Sequence, residues 1–201
     1  GPCDAVELFR QVGSIKVNES VQVSYFPSMV SLYAVFKEME SNENYISGKT
    51  SLGVQNCDWR VSGAVTGEAS TEMLKGLCSM VLVGHSERRQ LFGESEAIIN
   101  KKIARNMSQN LTSVLCVGES AYSDAGSSEA NRVLEQQLQN SLKGIDFNSY
   151  QGPKIVVAYE PIWAIGTGRA ATPTTAYERC GFLKERLKTK YGESFSGQIP
   201  I

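Results

Sequence analysis

The chain has 201 residues, 41% of them hydrophobic and 20% charged, with a formal net charge of -1. That length suits one or two domains with a sizeable core, and the composition is that of an ordinary globular protein. A near-neutral charge offers nothing to attract nucleic acid or an anionic membrane, and no apolar run approaches the roughly 20 residues that span a bilayer.

No charged-then-apolar signal segment is visible in these residues. The cysteines (Cys3, Cys57, Cys78, Cys116 and Cys180) are odd in number and scattered. They form neither a disulfide framework nor a C-x-x-C metal site, which favours a reducing compartment. Glycosylation-type triplets begin at Asn18, Asn106 and Asn110; in such a compartment they are chance matches.

In chain order, residues 4–17 are expected to form a helix with Val6, Phe9 and Gly13 along one side. Val21–Tyr25 reads as a strand, and Phe26-Pro27-Ser28 turns into a helix running to about Glu40. Thr50–Gln55 is the next strand, followed by a long glycine-bearing loop and a helix over Glu68–Leu77. Met80–Val83 is a strand. The helix after it carries Ile99, Ile103 and Met107, one face of a 3.6-residue period. Leu111–Val117 is a continuous apolar strand, and Ala130, Leu134, Leu138 and Leu142 step by four along another helix. Lys154–Tyr159 is a strand leading to a helix with Cys180, Leu183 and Leu187 on one stripe, and Gln198–Ile201 reads as a further strand just begun.

Strand starts recur about every 30 to 40 residues, the size of a βα repeat. Strands that are apolar throughout imply a parallel sheet covered on both faces. The choice is an open doubly wound sheet or a barrel, in one domain spanning residues 1–201.

Glu160 stands where a buried strand opens onto a loop bracketed by Pro161 and by Gly166 and Gly168. Thr172-Pro173 follows, a capping residue and then proline at a first helical position. His85, the only histidine, also follows a strand, and Ser86-Glu87-Arg88-Arg89 then opens a helix. In parallel α/β proteins ligands bind at these carboxyl ends of strands. A carboxylate base and an imidazole donor there suit proton abstraction next to a carbonyl. They do not suit a hydrolytic triad, since no G-x-S-x-G elbow and no second histidine are present.

Gly166-Thr167-Gly168-Arg169-Ala170-Ala171 fits a relaxed dinucleotide-binding pattern, with Glu185 where a ribose acid belongs. The first glycine of that pattern must follow its strand directly, and here Glu160 to Ile165 intervene. A lid whose backbone N–H groups wrap an anion fits these glycines better. Cys116 reads as a buried small hydrophobe. The long loop from Gln55 to Glu68 is functional or packs on a partner.

Val83-Gly84-His85-Ser86-Glu87-Arg88-Arg89, Cys116-Val117-Gly118-Glu119 and Ala158-Tyr159-Glu160-Pro161-Ile162-Trp163-Ala164-Ile165-Gly166-Thr167-Gly168 resemble the triosephosphate isomerase family. Gly53-Val54-Gln55-Asn56-Cys57 and Gly63-Ala64-Val65-Thr66-Gly67-Glu68 fit as well, so the match runs in order along the chain. The resemblance implies a (β/α)₈ barrel that interconverts dihydroxyacetone phosphate and glyceraldehyde 3-phosphate through an enediolate, without metal or cofactor. It assigns Glu160 as base and His85 as the group polarising the carbonyl, with Ser86 and Glu87 supporting the site. The lid would comprise Pro161, Ile162, Trp163, Ala164, Thr167, Gly168, Arg169 and Ala170, with Ile165 and Gly166 meeting the substrate phosphate. The enzyme would be a cytoplasmic homodimer, its contact carried by Gln55, Asn56, Thr66, Gly67 and Glu68.

The departures are at the ends. The family's opening Asn-x-Lys strand and its later glycine-rich phosphate turns are not among these residues. A complete barrel of this kind runs to about 250 residues. The expectation is therefore a partial record holding strands two to six and the start of seven, inactive as a 201-residue piece. Two further readings remain: a catalytically dead barrel kept as a structural or interaction protein, and another sugar-phosphate isomerase.

Overall fold

A computed structural model of the chain describes residues 1–13, 15, 18, 20–41, 49–122, 126–147 and 154–201. Five strands are described: β1 (Val23–Tyr25), β2 (Thr50–Val54), β3 (Met80–Val83), β4 (Thr112–Val117) and β5 (Ile155–Tyr159). All ladders are parallel, and the order in the sheet, β1-β2-β3-β4-β5, is the order in the chain. A doubly wound sheet needs a reversal of strand order, and none occurs among the described strands. Crossovers of one hand taken always in one direction put every helix on the same face and curl the sheet, which is how a (β/α)₈ barrel is built.

The helices are α1 (Pro2–Gly13), α2 (Leu32–Ser41), α3 (Thr71–Leu74), α4 (Ser86–Phe92), α5 (Glu96–Ser108), α6 (Ser128–Ser141), α7 (Pro173–Tyr191) and α8 (Glu193–Gln198). Short 3₁₀ turns cover Met29–Ser31 and Ile162–Ala164. The rows expected from periodicity are the buried ones: Ile99, Ile103 and Met107 on α5, and Ala130, Leu134, Leu138 and Leu142 along α6 and its cap. All of them but Ala130 join Val81, Val83, Leu115, Ile155 and Val157 in the core between sheet and helices. α1 is held by Phe9, whose ring meets Tyr25 edge-on, and by the Arg10–Glu38 pair to α2.

Five expectations need correction or limits. The stretch Ser14 to Val17 of the first expected helix lies largely outside the described residues. The helix expected over Glu68–Leu77 shrinks to α3, because an Asp58–Ser70 bridge keeps the chain extended and Gly76 turns it away at φ 79°. The stripe on α7 is Thr175, Arg179, Leu183 and Leu187, with Cys180 only half-buried beside it. Gln198 ends α8 rather than starting a strand, although Val157 N–H donates to the Pro200 carbonyl at 3.0 Å, so the chain does come alongside β5. Finally, β3 and β5 are not covered on both faces: Met80, Leu82, Val156 and Ala158 are half-exposed on the concave side.

Candidate active site

β3 and β5 deliver the two groups singled out by the sequence to one place. Gly84, at φ 73°, turns the chain out of β3, and His85 becomes the N-cap of α4. Its Nδ1 accepts the Glu87 N–H at 3.4 Å, which leaves the ring proton on Nε2. Nε2 faces Glu160, 3.3 Å from Oε2. The carboxylate of Glu160 is held from below by Ser86, whose N–H donates to Oε1 at 2.8 Å and whose hydroxyl donates to Oε2 at 3.0 Å. Ser86 is buried. Donors on both oxygens fix the carboxylate's plane, so this acid is oriented rather than merely near.

The backbone under Glu160 is set by β4. A Cβ on Gly118 would lie 1.8 Å from the Glu160 carbonyl oxygen, so glycine is required for the strands to pass. Gln137 of α6 clamps Gly118 from behind: its Oε1 accepts the Gly118 N–H and its Nε2 donates to the Gly118 carbonyl, both at 2.9 Å. Arg89 joins the neighbouring strand ends by donating to the carbonyls of Gly84 and Cys116, while its other arm pairs with Glu96. Cys116 is buried as expected, and burial pushes its thiol up to about 12.

The loop after Glu160 begins with the 3₁₀ turn Ile162–Ala164. Trp163 donates its indole N–H to Glu119 Oε1 at 3.1 Å, and Tyr159 donates its hydroxyl to the same oxygen at 2.9 Å. Burial, then the bond to Glu119, push the Tyr159 hydroxyl well above the usual phenol range. Tyr122 packs edge-on against the indole at 4.9 Å. Beyond Trp163, residues 165–170 are exposed, with Gly166 and Gly168 at φ 70° and 74°. The N–H of Ile165 is used by Ile162, whereas that of Gly166 has no acceptor among the described residues. The Thr172 hydroxyl caps α7 by accepting the Thr175 N–H at 3.1 Å, with Pro173 next, as expected.

A cavity of about 470 Å³ opens beside His85. Gln55, Asn56, Gly67, Glu68, Glu87 and Phe92 are among its walls. Glu160 is not, because its carboxylate is turned onto Ser86. Asn56 is fixed by the buried Lys102 ammonium, 2.6 Å from its Oδ1, and that ammonium also pairs with Glu94. Thr66 is exposed and is not among the cavity's walls, although Gly67 next to it is, and Glu87 is mostly exposed, its Oε2 3.8 Å from His85 Nδ1.

The structure thus brings His85, Ser86 and Glu160 together, sets Gln55, Asn56, Gly67, Glu68 and Glu87 around the adjoining cavity, and leaves Thr66 and the tip of the loop apart. Sequence reading assigned no role to Glu119, Gln137, Arg89 or Arg179. Glu119 had one available signal, since it follows a strand end just as Glu160 does; Gln137 and Arg179 look like ordinary surface helix residues in the sequence. A carboxylate with an N–H donor 3.3 Å away can remove a proton from carbon beside a carbonyl while the donor takes up the charge developing on oxygen.

A family model described as triosephosphate isomerase matches residues 4–201. Among curated proteins, the triosephosphate isomerase of Clostridium botulinum (strain Loch Maree / Type A3) is 37% identical over 199 residues, covering 98% of this chain and 77% of the relative. That of Chloroherpeton thalassium is 36% identical over 200 residues, with 98% and 76% covered. That of Syntrophotalea carbinolica is 39% identical over 176 residues, with 87% and 66% covered.

Proposed function

Since the chain belongs to the triosephosphate isomerase family, whose reaction interconverts dihydroxyacetone phosphate and glyceraldehyde 3-phosphate, we propose that Glu160 is the base of this enolisation and His85 its electrophile. The observation carrying this is the facing pair, His85 Nε2 and Glu160 Oε2, at the ends of β3 and β5. Glu160 takes the proton from one carbon and returns it to the next. His85 donates Nε2–H to the carbonyl oxygen and stabilises the enediolate. Ser86 parks the carboxylate between turnovers, and the Glu87 N–H, donating to Nδ1, orients the ring.

Pro161 to Ala170 form the lid, seen here with Trp163 docked on Glu119. Closure brings the free Gly166 N–H, with Ile165 beside it, to the substrate phosphate and excludes water from the enediolate.

The enzyme works as a homodimer. The exposed apolar side chains Met29, Val30, Tyr33, Leu91 and Phe92 support this reading, and Met29 and Phe92 border the same cavity as Gly67 and Glu68. Gln55, Asn56, Thr66, Gly67 and Glu68 carry the contact, with the outlying Thr66 reaching the partner's site. All five cysteines are unpaired, and no described helix is long and apolar enough to cross a membrane; a cytoplasmic location agrees with both.

The test is Glu160→Gln, which keeps shape and removes basicity. Triose phosphate turnover falls by about 10³-fold or more with KM little changed. Turnover within tenfold of the parent enzyme refutes the assignment.

A further inference from the structure

Gly118 is held by a side chain at the point where strand pairing has run out. The last rung between β4 and β5 joins Val117 to Tyr159, and Gly118 comes one residue later. Both of its main-chain groups go to Gln137: the N–H donates to Oε1 and the C=O accepts from Nε2, each at 2.9 Å. A primary amide is the neutral side-chain group that sets a donor and an acceptor side by side, and from a helix only glutamine carries it at this length. The main chain of Gln137 is itself fixed, because it stands three residues after Leu134 and four before Ser141, both fully buried on α6.

The Val117–Gly118 peptide joins this clamp to Glu160. Its N–H is the one received by Gln137, and its carbonyl accepts the N–H of Glu160 at 2.9 Å. A peptide unit is planar, so its N–H and C=O cannot turn independently. A tilt that breaks the bond to Gln137 therefore disturbs the bond to Glu160 as well. Steric contact acts in the same direction: a Cβ on Gly118 would lie 1.8 Å from the Glu160 carbonyl oxygen and 3.1 Å from Glu160 Cγ, so no slack separates the two residues. At its far end the Glu160 carboxylate meets Ser86 and His85 at 2.8–3.3 Å, distances that a small movement of the main chain changes.

We infer that Gln137 is a positioning residue for the isomerisation: from α6 it fixes the Val117–Gly118 peptide and, through it, the main chain that carries Glu160. It acts through the backbone rather than on the carboxylate. Losing the amide leaves a half-buried N–H and C=O without these partners, and the strand end moves to find others. A shift of about half an ångström at the base costs about tenfold in rate, on a scale of about 100-fold per ångström. This inference rests on Glu160 being the base proposed above.

The experiment is a double-mutant cycle between Gln137→Met and Glu160→Gln, read by steady-state isomerisation and a thermal melt. Methionine keeps the length of the side chain and removes both hydrogen bonds. Alone, Gln137→Met lowers kcat by about tenfold with KM within twofold of the parent. In the Glu160→Gln background the same change lowers kcat by less than threefold, since no base remains to be misplaced, while the shift in melting temperature is the same in both backgrounds. If Gln137→Met fails to fold, Gln137→Glu, which keeps the shape and sets an oxygen against the Gly118 carbonyl, gives the same pattern. A loss of kcat under threefold in a folded single variant, a loss carried by KM, or an equal loss in both backgrounds overturns the inference while leaving Glu160 as the base. Turnover of Glu160→Gln within tenfold of the parent overturns the base assignment and this inference with it.

Discussion

Replacing Gly118 by alanine places a methyl carbon 1.8 Å from the carbonyl oxygen of Glu160, 2.9 Å from its carbonyl carbon and 3.1 Å from its Cγ. Ordinary van der Waals contact begins at 3.4 Å, so the two strand ends must separate by about 1.6 Å, the difference 3.4 − 1.8. The obstacle is backbone, so no rotamer change relieves it. On one side Gln137 grips Gly118 through both of its peptide groups, and on the other Glu160 N–H is bonded to the Val117 carbonyl at 2.9 Å. The movement therefore passes to the Glu160 side chain, whose contacts with Ser86 and His85 at 2.8–3.3 Å do not survive a shift of that size. Misplacing a reacting group by about 1 Å costs on the order of 100-fold in rate. Overpacking of this kind costs about 1–3 kcal/mol of stability. The expected result for Gly118→Ala is a kcat lowered at least 100-fold in protein that still melts cooperatively, read by steady-state isomerisation beside a thermal melt. A kcat within threefold of the parent refutes the claim that Gly118 sets the position of the base.

Two smaller effects follow from contacts away from the base. Asp58 is buried and receives the Arg60 guanidinium and the Arg60 N–H, with distances of 2.6–2.9 Å. The Arg60 guanidinium holds its carboxyl below the usual aspartate range. A lowered folded-state pKa means the stabilisation is fully present above the unfolded value near 3.9 and disappears as pH falls through the folded value. Asp58→Asn is therefore expected to cost about 1 kcal/mol between pH 5 and 8, with the deficit shrinking below about pH 4 in urea titrations; a deficit constant down to pH 2 contradicts the pairing. Thr172→Ala removes the α7 cap and lowers stability by about 1 kcal/mol in a thermal melt, and an unchanged melting temperature shows that the cap does not hold that hinge.

Much of the fold is legible in the residues because helix and strand periods are local. The rows Ile99-Ile103-Met107 and Ala130-Leu134-Leu138-Leu142 are buried where the pattern places them. α7 is misread for an equally local reason: at the core position of its stripe stands Arg179, and a charged residue reads as surface unless its partner is known. The partner, Glu119, is 60 residues away in sequence (179 − 119) and meets it only through β4, β5 and α7 packing. The helix expected over Glu68–Leu77 is likewise cut down by a contact with Asp58, which no window around Ser70 contains.

The amino-acid sequence alone determined the parallel βα rhythm, the cap of α7, the burial of Cys116, and His85 and Glu160 as strand-end residues; each depends on near neighbours or on a motif read as a string. Only the tertiary structure decided that the strands follow one another in order, that Ser86 rather than His85 supplies two of the donors to Glu160, that Gly118 is the floor beneath Glu160, and that a buried arginine stands beside the buried Glu119. The physical reason is distance along the chain. These contacts join residues tens of positions apart, and their energies come from close approach and from burial of charge, neither of which exists until the strands are side by side.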